Sequence, residues 1–223
     1  MNVDVISGVS TGIISAILFN PLDKAIYIST TKNISIFDRH AWHNMYSGIS
    51  YTIASKLITS GLYFAYIDYY SKQCNNNAEI AVITTLCCSI INPIQLVKFN
   101  SWYHGISIKT SVNNIIKNHG YKGFGIGITP LLLRDFIFNY IYLTFKKKDD
   151  HMNNILTISG ALIVVSPLNV IKNMKYASNE NIKSIIKNFN YKQLGITFSL
   201  LRFSLSFYFC QYLYDNTKNY LNK

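Results

Sequence analysis

The sequence predicts an all-α membrane protein of six spanning helices arranged in three pseudo-symmetric repeats. Three observations carry that prediction. The 223 residues are 49% hydrophobic and only 14% charged, where a soluble domain carries about 25% charged residues. Three of the four prolines share one context: Asn20-Pro21-Leu22-Asp23, Asn92-Pro93-Ile94-Gln95 and Ser166-Pro167-Leu168-Asn169, spaced by 72 residues (21 to 93) and 74 residues (93 to 167). Each of these prolines follows an apolar run, and after a polar connection a second long apolar run appears. The repeats are 1–73, 74–150 and 151–223, together one transmembrane domain.

In chain order, the first run of each repeat covers residues 5–19, 80–91 and 155–165, and its proline ends or bends the helix. The run at 5–19 carries Asp4 at its start and no small-residue cleavage site, so it is expected to stay as a structural helix and not to be removed as a signal. The second runs cover 49–70, 126–145 and 194–214, introduced by Tyr46-Ser47-Gly48, Tyr121-Lys122-Gly123 and Tyr191-Lys192-Gln193. About 20 apolar residues rising 1.5 Å each cross a hydrocarbon core about 30 Å thick. The connections at 31–45, 100–120 and 173–190 are polar but hold amphipathic patches at 115–117 and 182–187, which read as short surface helices.

The net charge is +11, with eighteen Lys, three Arg and ten acids. So much apolar and aromatic side chain excludes disorder. No Walker loop, dinucleotide fingerprint, metal-binding His pair or nucleophile elbow occurs, which argues against an enzyme. Lysines dispersed between apolar runs do not form a nucleic-acid patch. The five His (His40, His43, His104, His119, His151) read as surface residues, and Cys74, Cys87, Cys88 and Cys210 as buried free thiols, without metal-ligand spacing. Charges inside the apolar runs are the informative residues, because one at the bilayer centre costs at least about 2.5–3.5 kcal/mol and so faces a cavity or a partner. Lys56, Arg134, Asp135 and Arg202 lie there, and Asp23, Lys98 and Lys172 follow the prolines. Arg134 and Arg202 each stand seven residues after a glycine, Gly127 and Gly195.

The threefold Pro-x-acidic-x-x-basic pattern, with the aromatic-x-Gly element and second span after it, resembles the mitochondrial carrier family. The likeness covers nearly the whole chain and is strongest at 123–135, 61–68 and 213–218. It implies a monomeric six-helix barrel around a water-filled cavity, working by alternating access in the mitochondrial inner membrane, with short matrix-side surface helices. It implies a matrix gate in which the acid of one repeat pairs with the base of the next: Asp23 with Lys98 as the one intact ion pair, Gln95 with Lys172 at most hydrogen-bonded, and Asn169 with Ile26 contributing little. It implies an opposite gate that keeps Asp68, Asp215 and Lys218 but is incomplete. Cardiolipin is the implied structural lipid, its phosphates cradled near Gly48, Lys122, Gly123 and Lys192; no other cofactor and no metal is expected.

The resemblance also implies substrate contacts at Ser55, Arg134 with Asp135, and Arg202, beside Lys56. Arginine suits them because its planar fork grips phosphate or carboxylate oxygens bidentately. A nucleotide base would stack on Tyr63, Phe138 or Tyr140. Arg followed by an acid is more typical of the family's amino-acid carriers, and Lys172-Asn173-Met174-Lys175 stands where ADP/ATP exchangers carry an arginine-methionine run. The short chain and A/T-biased composition resemble carriers of large DNA viruses or intracellular parasites, which tips the expectation to nucleotides or deoxynucleotides. Amino acids or carboxylates, and a carrier-fold scaffold that no longer transports, stay open.

Overall fold

A computed structural model describes residues 3–57, 74, 76–146, 151–190 and 195–221. Among them all regular structure is helical, without a strand: α1 (Val3–Lys32), α2 (within 49–57), α3 (Asn77–Cys88), α4 (Asn92–His104), α5 (Ile108–His119), α6 (Ile128–Phe145), α7 (His151–Ser178), α8 (Ile182–Lys187) and α9 (Ile196–Leu221). Three helical stretches are long and apolar enough to cross a membrane: Asn77–His104, Tyr121–Phe145 and Met152–Ser178, of 28, 25 and 27 residues. Leu86, Ile90, Leu133, Leu156 and Val164 on these stretches are exposed, as lipid-facing side chains are.

Two of the three prolines do not end their helices: α1 and α7 continue through Pro21 and Pro167. Spanning helices tolerate proline because neighbouring helices and local adjustments satisfy the freed backbone groups. Only at Pro93 is there a break. α3 stops at Cys88, a 3-10 turn covers Ser89–Ile91, and Pro93 opens α4, where its missing N–H costs nothing. Every one of the three helices then ends eleven residues after its proline, at Lys32, His104 and Ser178.

The helices form a ring. α1 packs on α9, α9 on α7, α7 on α6 and α6 on α3, while α1, α4 and α7 touch one another inside. The described part of α2 fits between α1 and α4: Thr52 Oγ1 donates to Asn20 Oδ1 at 2.7 Å, and Tyr51 packs on Leu96 and Val97. Three glycines set this packing. Gly48, Gly127 and Gly195 have φ of +72°, +75° and +55° and stand immediately before α2, α6 and α9. A Cβ on them would meet Trp102 Nε1 at 3.2 Å, Tyr176 Cε1 at 2.5 Å and Thr30 Cγ2 at 2.6 Å. Those three neighbours each lie nine residues after a repeat proline, always that of the next repeat in cyclic order.

This register corrects the sequence alignment of the connections. Gly48 corresponds to Gly127 and Gly195, whereas Gly123 sits four residues earlier, in the 3-10 turn Tyr121–Gly125, buried against Ile115 and His119. Gly48 therefore stands at a helix N-terminus, whereas Gly123 lies inside a 3-10 turn. Lys122 is exposed, and Lys192 lies outside the described residues.

Asparagine before proline has a distinct use. Asn20 Nδ2 donates to Met45 O and Asn92 Nδ2 to Phe124 O, both at 2.8 Å, tying each connection to its own first helix. In the third repeat Ser166 Oγ donates to Ile163 O of its own helix, and no such tie is seen among the described residues. Lys24 Nζ adds to the first tie, donating to His43 O, Asn44 O and Ser47 Oγ. The expected surface helices are present as α5 and α8, with Ile115 and Ile185 buried and Lys117 and Lys183 exposed. His40, His43, His104 and His119 are exposed as expected, while Cys74, Cys87 and Cys88 are free and only half-buried. The side chains of His151 and Cys210 lie outside the described residues.

Replacing Gly127 by Ala combines a left-handed backbone, costing about 1–2 kcal/mol, with a clash on the Tyr176 ring. Gly127→Ala is expected to lower the melting temperature by several degrees in detergent. Gly160→Ala, where a Cβ meets nothing within 4 Å in the interior of α7, is expected to leave it unchanged or raise it.

Candidate functional site

The ring encloses a cavity of about 370 Å³. Asp23 of α1, Ser55 and Lys56 of α2, Gln95 and Lys98 of α4, Arg134 of α6, Asn169 and Lys172 of α7, and Arg202 of α9 all line it. An adjoining cavity shares Lys56, Arg134, Asn169 and Arg202 and adds Phe138. Residues chosen from distant parts of the chain thus converge on one space. The glycine register explains this, because Ser55, Arg134 and Arg202 each lie seven residues, about two helical turns, after Gly48, Gly127 and Gly195.

The pairing differs from the expected one. Asp23 is engaged by Arg202 and not by Lys98: Nη2 donates to Oδ2 at 2.8 Å, and Nε lies 2.6 Å from Oδ1, off hydrogen-bond alignment. The guanidinium also lies over the Phe19 ring, 5.5 Å from its centroid and one turn before Asp23. A planar fork that binds a carboxylate through two nitrogens while resting on an aromatic face outcompetes an ammonium for the same acid.

Arg134 pairs with its neighbour Asp135, Nε donating to Oδ1 at 2.7 Å, and donates through Nη1 to Asn169 Oδ1 at 3.2 Å. Asn169 therefore has a partner the sequence did not assign, while Ile26 packs among apolar residues. Asp135, expected at the substrate, is not among the residues that line either cavity.

A cyclic rule covers these contacts. The residue two places after a proline meets the residue seven places after the glycine of the preceding repeat: Asp23 with Arg202, Asn169 with Arg134. Gln95 occupies the remaining place, and its Oε1 is buried without a hydrogen-bond partner, so the expected bond to Lys172 is absent. Ser55 Oγ donates to Thr52 O at 2.9 Å.

Lys98 and Lys172 rest on aromatic rings. Lys98 Nζ is 4.6 Å from the centroid of Phe99 and 4.7 Å from that of Trp102; Lys172 Nζ is 5.3 Å from Phe99 and 5.5 Å from Tyr176. Those rings form one cluster with Tyr27. Tyr27 and Phe99 are 4.6 Å apart, and Phe99 stacks on Tyr176 at 5.8 Å. The cluster joins α1, α4 and α7 beside the cavity. Sequence reasoning missed it, although its signal is periodic: aromatics stand six residues after Pro21 and Pro93 and nine after Pro93 and Pro167.

Among the described residues, five cations (Lys56, Lys98, Arg134, Lys172, Arg202) and one carboxylate (Asp23) line the main cavity. Low-dielectric walls concentrate that field and draw anions in. Among the described residues no group of His, Cys, Asp or Glu is placed to hold a metal ion. Of the expected base-stacking rings, Phe138 lines the adjoining cavity, Tyr140 is exposed beside Phe136, and Tyr63 lies outside the described residues. Asp68 also lies outside them, as do the side chains of Asp215 and Lys218 on α9, so the second gate has no described geometry. No protein-family model matches the chain, and no curated protein does.

A double-mutant cycle separates the two pairings of Asp23. The coupling energy of Asp23 with Arg202 is expected at about 1–3 kcal/mol, and that of Asp23 with Lys98 to be smaller, when read from thermal unfolding of the single and double variants.

Proposed function

We propose that this chain is a transmembrane solute carrier of the mitochondrial carrier kind, with six spanning helices in three repeats. It exchanges anionic metabolites across the mitochondrial inner membrane by alternating access. The observation that carries the reading is the cavity itself, ringed by cations from every repeat and placed among helices of spanning length. Buried charge of one sign is expensive inside a membrane and is kept where it serves a substrate path. The cyclic docking of each repeat on the next supports the same reading, because a closed three-part ring can open at either end by small rotations of its parts.

Nucleotides or deoxynucleotides are the favoured cargo. An amino-acid carrier needs a carboxylate open to the substrate's ammonium. Asp23 and Asp135 are instead held by Arg202 and Arg134, which supports an anion over an amino acid. Arg134 and Arg202 would clamp phosphate oxygens, and Phe138 offers a face to a base. Asp23, held by Arg202 just after Pro21 in α1, would be freed when an anion takes the guanidinium, linking cargo to opening.

The test is exchange of labelled nucleotides by purified protein in liposomes containing cardiolipin. Wild type is expected to exchange them, and Arg134→Ala or Arg202→Ala to lose uptake by at least a hundredfold while keeping a cooperative melt. Exchange of amino acids or dicarboxylates alone would move the cargo to those classes. Absence of transport for all three would leave the scaffold reading.

A further inference from the structure

The positive charge in the cavity is unevenly satisfied. Both arginines already hold carboxylates, whereas Lys98 and Lys172, 7% and 3% exposed, make no ion-pair contact with a carboxylate among the described residues. The two ammonium groups lie within 5.3 Å of the centroid of one ring, Phe99, so each also bears the repulsion of the other. A cation–π contact offsets a part of that cost. Two buried like charges with no carboxylate in ion-pair contact are costly unless a ligand supplies the missing partner.

A second feature lies in the same place. Gln95 Oε1 and Asn173 Oδ1 are buried carbonyl oxygens without a hydrogen-bond partner, and both residues line the same cavity as the lysines. Asn173, 7% exposed, adjoins Lys172 in sequence. Each orphan acceptor bears its desolvation cost unless a donor arrives. The site therefore asks for a group with negative oxygens and a hydroxyl donor together.

We infer that Lys98 and Lys172, with Gln95 and Asn173, form a phosphate subsite at the aromatic end of the cavity, distinct from the two arginine forks. A phosphate near neutral pH meets both demands, since its charged oxygens accept from the ammonium groups while a P–O–H donates to an amide carbonyl. A carboxylate has charged oxygens but no donor. Lysine suits the role as a compact charge with rotatable donors that adapts to a tetrahedral group. The inference deepens the carrier reading, because it makes the first foothold of a phosphorylated cargo the lysine pair and leaves the arginines to be taken by exchange with Asp23 and Asp135.

The experiment is thermal unfolding of the full chain in lipid-free detergent with inorganic phosphate or malonate. Phosphate is expected to raise the melting temperature of wild type, with malonate at least tenfold weaker. Lys98→Met and Lys172→Met are each expected to melt higher than wild type without ligand, because the uncompensated repulsion is gone, and to bind phosphate at least tenfold more weakly. Lys172→Gln serves the same purpose should a methionine variant fail to fold. A phosphate shift that survives both lysine substitutions but is lost in Arg134→Ala overturns the subsite and leaves the anion-carrier reading standing. No shift with either anion overturns the subsite and counts against that reading too. Cardiolipin added without phosphate is expected to act equally on wild type and variants; a lipid effect lost with Lys172 would assign the subsite to a headgroup and overturn it for free phosphate.

Discussion

Three close approaches hold the rest of the structure in place: a glycine in left-handed backbone at the foot of α2, α6 and α9, each against the residue nine places after a proline in the next repeat. With no Cβ, glycine permits both the positive φ and the contact distance. Because the contacts run cyclically, from the first repeat to the second, the second to the third and the third back to the first, the ring closes. The same glycines fix where the following helix begins, and so which of its residues reach the interior two turns later. Ser55, Arg134 and Arg202 face one space because their glycines are docked alike.

Around that space the repeats have diverged in charge while keeping their geometry. The position two after a proline meets the position seven after the preceding repeat's glycine in two cases, as an ion pair in one and an amide on a guanidinium in the other, while at the third place Gln95 carries an orphan amide oxygen. Gln95 and Asn169 stand where Asp23 stands in the first repeat, Lys98 and Lys172 make no ion pair with a carboxylate among the described residues, and aromatic faces supply part of their stabilisation. The excess of basic residues is in this sense a property of the cavity as well as of the surface.

Much of the architecture was legible because it is written in periodic features. Proline spacing marked the repeats, apolar runs marked the long helices, and the glycine-to-arginine interval placed Arg134 and Arg202 together. The pairing of charges was not legible. A sequence motif ranks partners by kind and order, whereas Asp23 is reached by whichever cation can approach it with the best geometry, and that is a guanidinium braced on Phe19. The aromatic cluster was overlooked for a related reason: Tyr27, Phe99, Trp102 and Tyr176 each look like ordinary helix-packing residues until three helices bring them together.

Composition, repeat spacing and the glycine register were determined by the sequence alone, since they depend on intervals along one chain: an all-helical protein with two arginines at matching places and six expected spans, of which three stretches are long and apolar enough to cross a membrane among the described residues. Tertiary structure decided which acid each arginine holds and which lysines make no ion pair with one. These outcomes depend on distances between helices from different repeats, and on competition among groups of like charge for a few acids, neither of which is encoded by spacing within a helix.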